Sequence, residues 1–251
     1  MARWHPLIWT LLSIALLLFI WYAAAIVADD PRRLPTPARV LLRLIEETGK
    51  GALPYHLGVT LLRVVASFAV AMAIGTVIGF AMGRVALLDQ MGHAWLIFFL
   101  NMPALVVIVL CYIWIGLVET AVVVAVALNK IPNVVVTVRE GARTLDKSLL
   151  EMAQSFQVGA WKTLTKVVLP QLYPYLAAAA RSGLALIWKI VLVTELLGRS
   201  NGVGFKIFEF FANFEVDRIL AYSLAFTLVI LMIEWTLMMP LERRVSRWRR
   251  R

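Results

Sequence analysis

Residues 151–170, EMAQSFQVGAWKTLTKVVLP, form a polar, amphipathic stretch in a chain that is otherwise mostly hydrocarbon. Leu149, Leu150, Met152 and Phe156 alternate with Glu151, Gln154 and Gln157 at helical spacing, so one face packs while the other stays available. Gly159 offers a break, and residues 161–168 resume the helix until Leu169-Pro170 is expected to stop it. About twenty residues in helix-bend-helix form are far more than a turn between two apolar blocks requires. The segment reads as a surface built to be touched.

The rest of the composition says what that surface is attached to. Of 251 residues 61% are hydrophobic and 16% charged, with a mean hydropathy of +0.83, which is the composition of a membrane protein. The net charge of +10 sits in gaps between apolar runs rather than on a folded basic surface, which argues against nucleic-acid binding. A single cysteine, Cys111, excludes an internal disulfide and a cysteine metal cluster.

A helix needs about twenty apolar residues to cross a bilayer. Six segments qualify: 7–28, 64–82, 94–117, 120–138, 173–197 and 219–239. The first is read as a retained span, since its uncharged run exceeds that of a cleaved signal. The fourth is the weakest, interrupted by Lys130 and Pro132. With the N-terminus inside, Arg3, Arg84, five basic residues in 139–171 and six in the tail ERRVSRWRRR fall on the cytoplasmic side. The positive-inside rule therefore puts both termini and the loop 139–171 in the cytoplasm. The expected fold is all-α, polytopic, a single domain of six transmembrane helices over 1–251.

Two external loops carry structure of their own. In DDPRRLPTPARVLLRLIEETGKG, Thr36 is an N-cap, Pro37 the first helical residue, and Gly49 or Gly51 the end. Arg39 and Arg43 face Glu46 and Glu47, while Val40, Leu41, Leu44 and Ile45 form an apolar stripe that lies along the membrane surface. In LLGRSNGVGFKIFEFFANFEVDR the glycines permit tight geometry and the Phe-rich remainder suits an interfacial or re-entrant helix.

At this point the residues carry a resemblance. The opening stretch resembles the cytoplasmic loop of ATP-binding-cassette importer permeases, whose pattern runs Glu-Ala-Ala, three residues, Gly, nine residues, Ile, one residue, Leu-Pro. Glu151, Ala153 and Leu169-Pro170 match, Val167 replaces the Ile, and Gln157 stands where glycine is expected, with Gly159 two places later. LPTPARVLL, LPYHLGVTLLRV, MPALVVIVLCYIWIGL, LPQLYPYL, WKIVLVTELLG and NGVGF resemble the nitrate/sulfonate/taurine-type permeases in order and spacing.

The resemblance implies a type I importer permease fold in a bacterial inner membrane. It implies a second permease copy, two ATPase subunits that bind Mg-ATP, and an external solute-binding protein. It also implies that Glu151, Ala153, Phe156, Gln157, Gly159, Leu169 and Pro170 couple the spans to the ATPase. The bend then lies either at Gln157, at a cost of about 1 kcal/mol for a left-handed non-glycine, or at Gly159. The chain itself is expected to hold no catalytic group, cofactor or metal: His5, His56 and His93 are scattered and no phosphate-binding loop appears.

Charged and polar residues inside spans mark bundle interiors or water-filled paths. Asn101, Lys130, Asn133, Lys189 and Glu195 are the pathway candidates, against the structural reading in which the lysines snorkel or bond to carbonyls. Lys130, Asn133 and Thr137 share a helix face, and Lys189 and Glu195 lie about 240° apart around theirs. A nitrate-, sulfonate- or taurine-like anion fits two intramembrane lysines; a neutral heterocycle such as a pyrimidine precursor is the alternative. An ion-coupled secondary transporter would require an internal repeat and balanced intramembrane carboxylates, and neither is seen.

Overall fold

The structure, a computed structural model, describes residues 5–238, with side chains from 8 to 236. Arg3 and the basic tail, which set the expected orientation, lie outside the described residues. Eleven α-helices follow in order: α1 (His5–Ala28), α2 (Pro37–Gly49), α3 (Ala52–Arg84), α4 (Ala86–Asn101), α5 (Ala104–Ile115), α6 (Glu119–Arg143), α7 (Lys147–Ser155), α8 (Ala160–Thr163), α9 (Leu169–Gly198), α10 (Val203–Ala212) and α11 (Val216–Ile233). Two π turns, Leu164–Val168 and Glu234–Met238, join α8 to α9 and extend α11. No strand occurs among the described residues. Five helical stretches are long and apolar enough to cross a membrane, and six if the bent pair α4–α5 is counted as one span.

The centre of the bundle is α6, the segment that hydropathy ranked weakest. Val122, Val126, Val134 and Val138 on it are fully buried, packed between α3, α5 and α9. Lys130 and Pro132 lower the apolar score of α6 without interrupting it. Its interior position is the reason: a helix surrounded by protein need not be apolar by composition.

On α3, Gly75, Gly79 and Gly83 repeat at four-residue spacing and face α6. A Cβ placed on Gly75 would lie 2.6 Å from Val134 Cβ, and one on Gly79 would lie 2.7 Å from the carbonyl oxygen of Val135. Small residues at this spacing let two backbones approach closely, which is how helices gain packing energy when lipid gives them no hydrophobic drive.

Three segments differ from expectation. Residues 94–117 are not one straight rod, because α4 and α5 meet at 97°. Pro103 has no N–H to give and keeps Met102 extended, at φ −70° and ψ 126°. Residues 64–82 are the middle of a much longer α3 of 33 residues.

The third difference is at Leu169-Pro170, which do not stop the helix. The amide of Leu169 bonds back five residues to Leu164, and this π turn widens the helix just ahead of the proline ring. Ala160–Gly198 therefore runs through as a single 39-residue element.

The expected surface helix is present. Thr36 Oγ1 accepts from the Arg39 amide at 3.4 Å, Pro37 starts α2, and Gly51 at φ +77° passes the chain into α3. Its apolar residues divide into two faces instead of one stripe. Val40 is buried against the bundle, whereas Leu41, Leu42 and Ile45 are exposed. Hydrogen bonds from Lys50 and Arg43 draw the Glu46 carboxyl down to about 2. α10 packs on α9 and α11, with Phe210 in the core against Tyr222.

α1 exposes apolar side chains over nearly its whole surface, as a helix bathed in lipid does. It packs on α2, and Trp21 Nε1 donates to the Pro35 carbonyl at 3.1 Å.

Gly79→Ala is expected to destabilise the bundle by about 1–3 kcal/mol through overpacking, read as a lower thermal transition of the purified protein. An unchanged transition would mean that α3 and α6 part at no cost.

Candidate functional site

The polar segment 139–171 closes one end of the bundle. Asp146 caps α7: its Oδ1 accepts from the Ser148 amide at 2.8 Å and from Ser148 Oγ at 2.6 Å. These bonds hold its carboxyl below the usual carboxylate range. The Asp146 amide donates to Gln171 Oε1 at 2.8 Å, tying the start of α7 to α9. Below α7, Ala142, Leu145, Val168 and Leu172 form a small core that Leu150 and Leu164 join, and Ala153 is buried on the same side.

The bend is at Gln157. The Val158 amide bonds to the Ala153 carbonyl at 2.8 Å and the Gln157 amide to Gln154 at 2.9 Å, with Gln157 left-handed at φ +52°. These are the two hydrogen bonds of a Schellman motif, in which the left-handed position is usually glycine. Gly159 takes φ −57° and ψ 149°, a conformation open to any residue, and a Cβ there would meet nothing. The sequence therefore keeps the bend at the motif position and bears a strain of about 1 kcal/mol to do so.

The outer face of this turn is apolar and uncovered. Phe156 is 77% exposed and Trp161 75%, with Met152, Leu149 and Val158 also exposed. Glu151, Gln157, Gly159, Leu169 and Pro170 are exposed as well. Six of the seven sequence candidates are thus exposed, at this turn or at the start of α9, and Ala153 is buried.

The five candidates within the spans do not share one place. Asn101 is exposed and its amide donates to the Ile97 carbonyl of its own helix at 2.8 Å. Lys130 is fully buried, and its Nζ has no hydrogen-bond partner among the described residues. It lies against Gly183 of α9, where a Cβ would come within 2.5 Å of Lys130 Cε. Asn133 is half-buried one turn along α6. Lys189 is exposed in a groove between α9 and α11 that Arg181, Trp188, Thr227 and Glu234 also line.

Glu195 belongs to a buried polar cluster at the end of the bundle away from α7. Arg63 Nη1 donates to Glu195 Oε1 at 2.7 Å, and Thr60 Oγ1 and the Gly204 amide donate to Oε2, each at 2.9 Å. Arg63 also makes a two-pronged contact with Glu119 at the start of α6, at 2.7 and 2.6 Å, and bonds to Asn201. His56 Nδ1 accepts from the Gly202 amide at 3.0 Å.

Sequence reasoning placed Arg63 one residue outside a span and so missed it. The signal was present as His56, Thr60, Arg63 and Ser67 at spacings of four, three and four, one polar line along α3.

At the opposite end Arg139 and Arg143 of α6 pair with Asp89 of α4, the Arg139 contact at 3.2 Å. No group of His, Cys, Asp and Glu able to hold a metal ion occurs among the described residues.

Comparison with known proteins gives a consistent set of matches. Residues 71–239 match the family described as binding-protein-dependent transport system inner membrane component. The taurine transport system permease protein of Escherichia coli (strain K12) is 25% identical over 242 residues, covering 94% of this chain and 88% of that protein. A putative aliphatic sulfonates transport permease protein of Bacillus subtilis (strain 168) is 27% identical over 216 residues, covering 86% and 78%. Among solved structures, an inward-facing MetNI methionine ABC transporter has a chain that matches with a TM-score of 0.60 at 16% identity, covering 78% of this chain and 93% of that one. At that identity the match concerns the fold.

Gln157→Gly is expected to stabilise the turn by about 1 kcal/mol, seen as slower amide exchange at Gln157 and Val158. Faster exchange would mean that the glutamine side chain holds the bend.

Proposed function

The chain belongs to the family of binding-protein-dependent transport system inner membrane components, the permeases of ABC importers, and we propose that it carries a small anion across a bacterial inner membrane. In this reading two copies form the pathway, two ATPase subunits dock on the projection 139–171, and an external binding protein delivers the solute at the opposite end. Both termini are cytoplasmic. The chain supplies no catalytic group; Mg-ATP is bound and hydrolysed by the ATPase.

The observation that carries the reading is the uncovered apolar turn around Phe156 and Trp161. Asp146, Gln171 and the small core below α7 hold it firmly to α6 and α9. A protein surface inserted there would bury two aromatic side chains, the residue types that dominate binding energy. Closure of the ATPase pair would then move α6 and α9 as stiff units between two states of the pathway.

The anion reading is supported by Lys130, whose buried ammonium has no hydrogen-bond partner among the described residues, and by relatives named for taurine and aliphatic sulfonates transport. A charge so placed is costly unless a counter-charge visits it. Lys189 in the α9–α11 groove is the second cation of the pathway. A neutral heterocycle is the competing substrate class within the same importer.

Two measurements test this. Phe156→Ser combined with Trp161→Ser is expected to weaken capture of the ATPase by roughly 30-fold or more while membrane insertion persists; undiminished capture would remove the coupling role. In complexes reconstituted with the binding protein, Lys130→Met is expected to reduce anion-stimulated ATP hydrolysis about tenfold. Stimulation by a neutral heterocycle and by no anion would overturn the substrate assignment.

A further inference from the structure

A cavity of about 800 Å³ opens where the α1–α2 connection meets the turn between α10 and α11. Five arginines line it against three acids, Asp30, Glu215 and Asp217. Arg39 and Arg43 each direct Nε to Asp217 Oδ2 at 3.0 Å, which fixes their guanidinium planes. The two terminal nitrogens of Arg39 have no hydrogen-bond partner among the described residues, and neither does the guanidinium of Arg32. Arg33 is 89% exposed beside Asp30. Guanidinium groups held with free N–H pairs match the oxygens of a phosphate bidentately.

The surroundings of the cavity narrow the ligand further. α2 turns Val40 and Glu47 inward, Arg39 and Arg43 toward Asp217, and Leu41, Leu42 and Ile45 outward at 52%, 67% and 61% exposure. Three large aliphatic side chains on the outer face of a surface helix suit hydrocarbon beside them, as on a helix lying at the boundary of acyl chains and headgroups. Phe214, at the cavity wall, is 78% exposed. Cationic hollow and apolar flank together suit a molecule with an anionic head and a hydrocarbon tail; an acidic protein surface would use only the first.

We infer that this cavity binds the phosphate-bearing headgroup of an anionic lipid from the leaflet in which α2 lies. The site is separate from the solute pathway and needs neither ATPase nor binding protein. Basic pockets between membrane helices select lipids by the same electrostatics. Occupancy would clamp α2 and the α10–α11 turn together across Asp217.

The full chain, reconstituted in phosphatidylcholine nanodiscs containing a minority of phosphatidylglycerol, is released into detergent and its retained lipid is measured by native mass spectrometry. Retention of phosphatidylglycerol over phosphatidylcholine by about tenfold is expected, falling to near parity in the Arg32→Gln, Arg33→Gln double variant. Neither side chain packs in the core, so the thermal transition in phosphatidylcholine alone should be the same for both proteins. No preference in the unaltered chain, or a preference that survives the double substitution, overturns the proposal. Thermal stabilisation by inorganic phosphate without lipid retention would assign the cavity to a free anion and overturn the lipid source. Loss of polyglutamate binding in the variant with lipid preference intact would assign it to an acidic protein instead.

Discussion

The contact on which the rest depends is the buried pair Arg63–Glu195. The side chains are 3% and 0% exposed, at a depth where neither charge can stand alone. Each is satisfied several times over: Arg63 by Glu195, Glu119 and Asn201, and Glu195 by Arg63, Thr60 and the Gly204 amide. One guanidinium thereby joins α3, α6, α9 and the 199–202 turn. Removing one member of such a pair strands the other, at a cost of about 3–5 kcal/mol. Its worth lies as much in specificity as in stability, because an apolar contact at the same depth would tolerate a one-turn slip of α3 against α9.

The two ends of the bundle solve the same problem differently. At the Glu195 end the central pair is sealed inside and completed by the Gly204 amide, while Glu119 reaches from it to the surface at 55% exposure. At the α7 end Arg139, Arg143, Asp89 and Glu140 form a shallower network in which Arg143 and Glu140 are 42% and 48% exposed, so water shares the load. Between them α3 and α6 touch through glycine, with almost no side chain intervening. Close packing in the middle and ion pairs at both ends tie these helices to one another.

How legible this was in the sequence varies from residue to residue. Thr36-Pro37 marked the start of α2 to the residue and the glycines after Thr48 narrowed its end to Gly49 or Gly51, because caps are local chemistry. The position of the αL turn was readable only as a choice between Gln157 and Gly159. Propensity favours glycine, and the hydrogen bonds that close behind α7 overrule it. Arg63 escaped because hydropathy treats a charge as the edge of a span, while its polar line along α3 pointed inward. Pro103 was visible, yet a proline announces a break without giving its angle; the 97° turn depends on what α4 and α5 pack against. The meeting of Arg39 and Arg43 with Asp217, 174 residues and more away in the chain, lay beyond any local pattern.

The unbroken element Ala160–Gly198 has a mechanical consequence. At about 1.5 Å per residue its 39 residues make a rod of roughly 58 Å, with Trp161 near one tip and Glu195 near the other. A rigid-body tilt of only about 5° about one end would sweep the other by some 5 Å on that helical rise. Between the tips the rod meets α6 where the Lys130 side chain lies against the bare backbone of Gly183. The widened turn at 164–168 is where the helix departs from α geometry near the Trp161 tip. A tilt not absorbed there would reach Glu195 and, through it, Arg63.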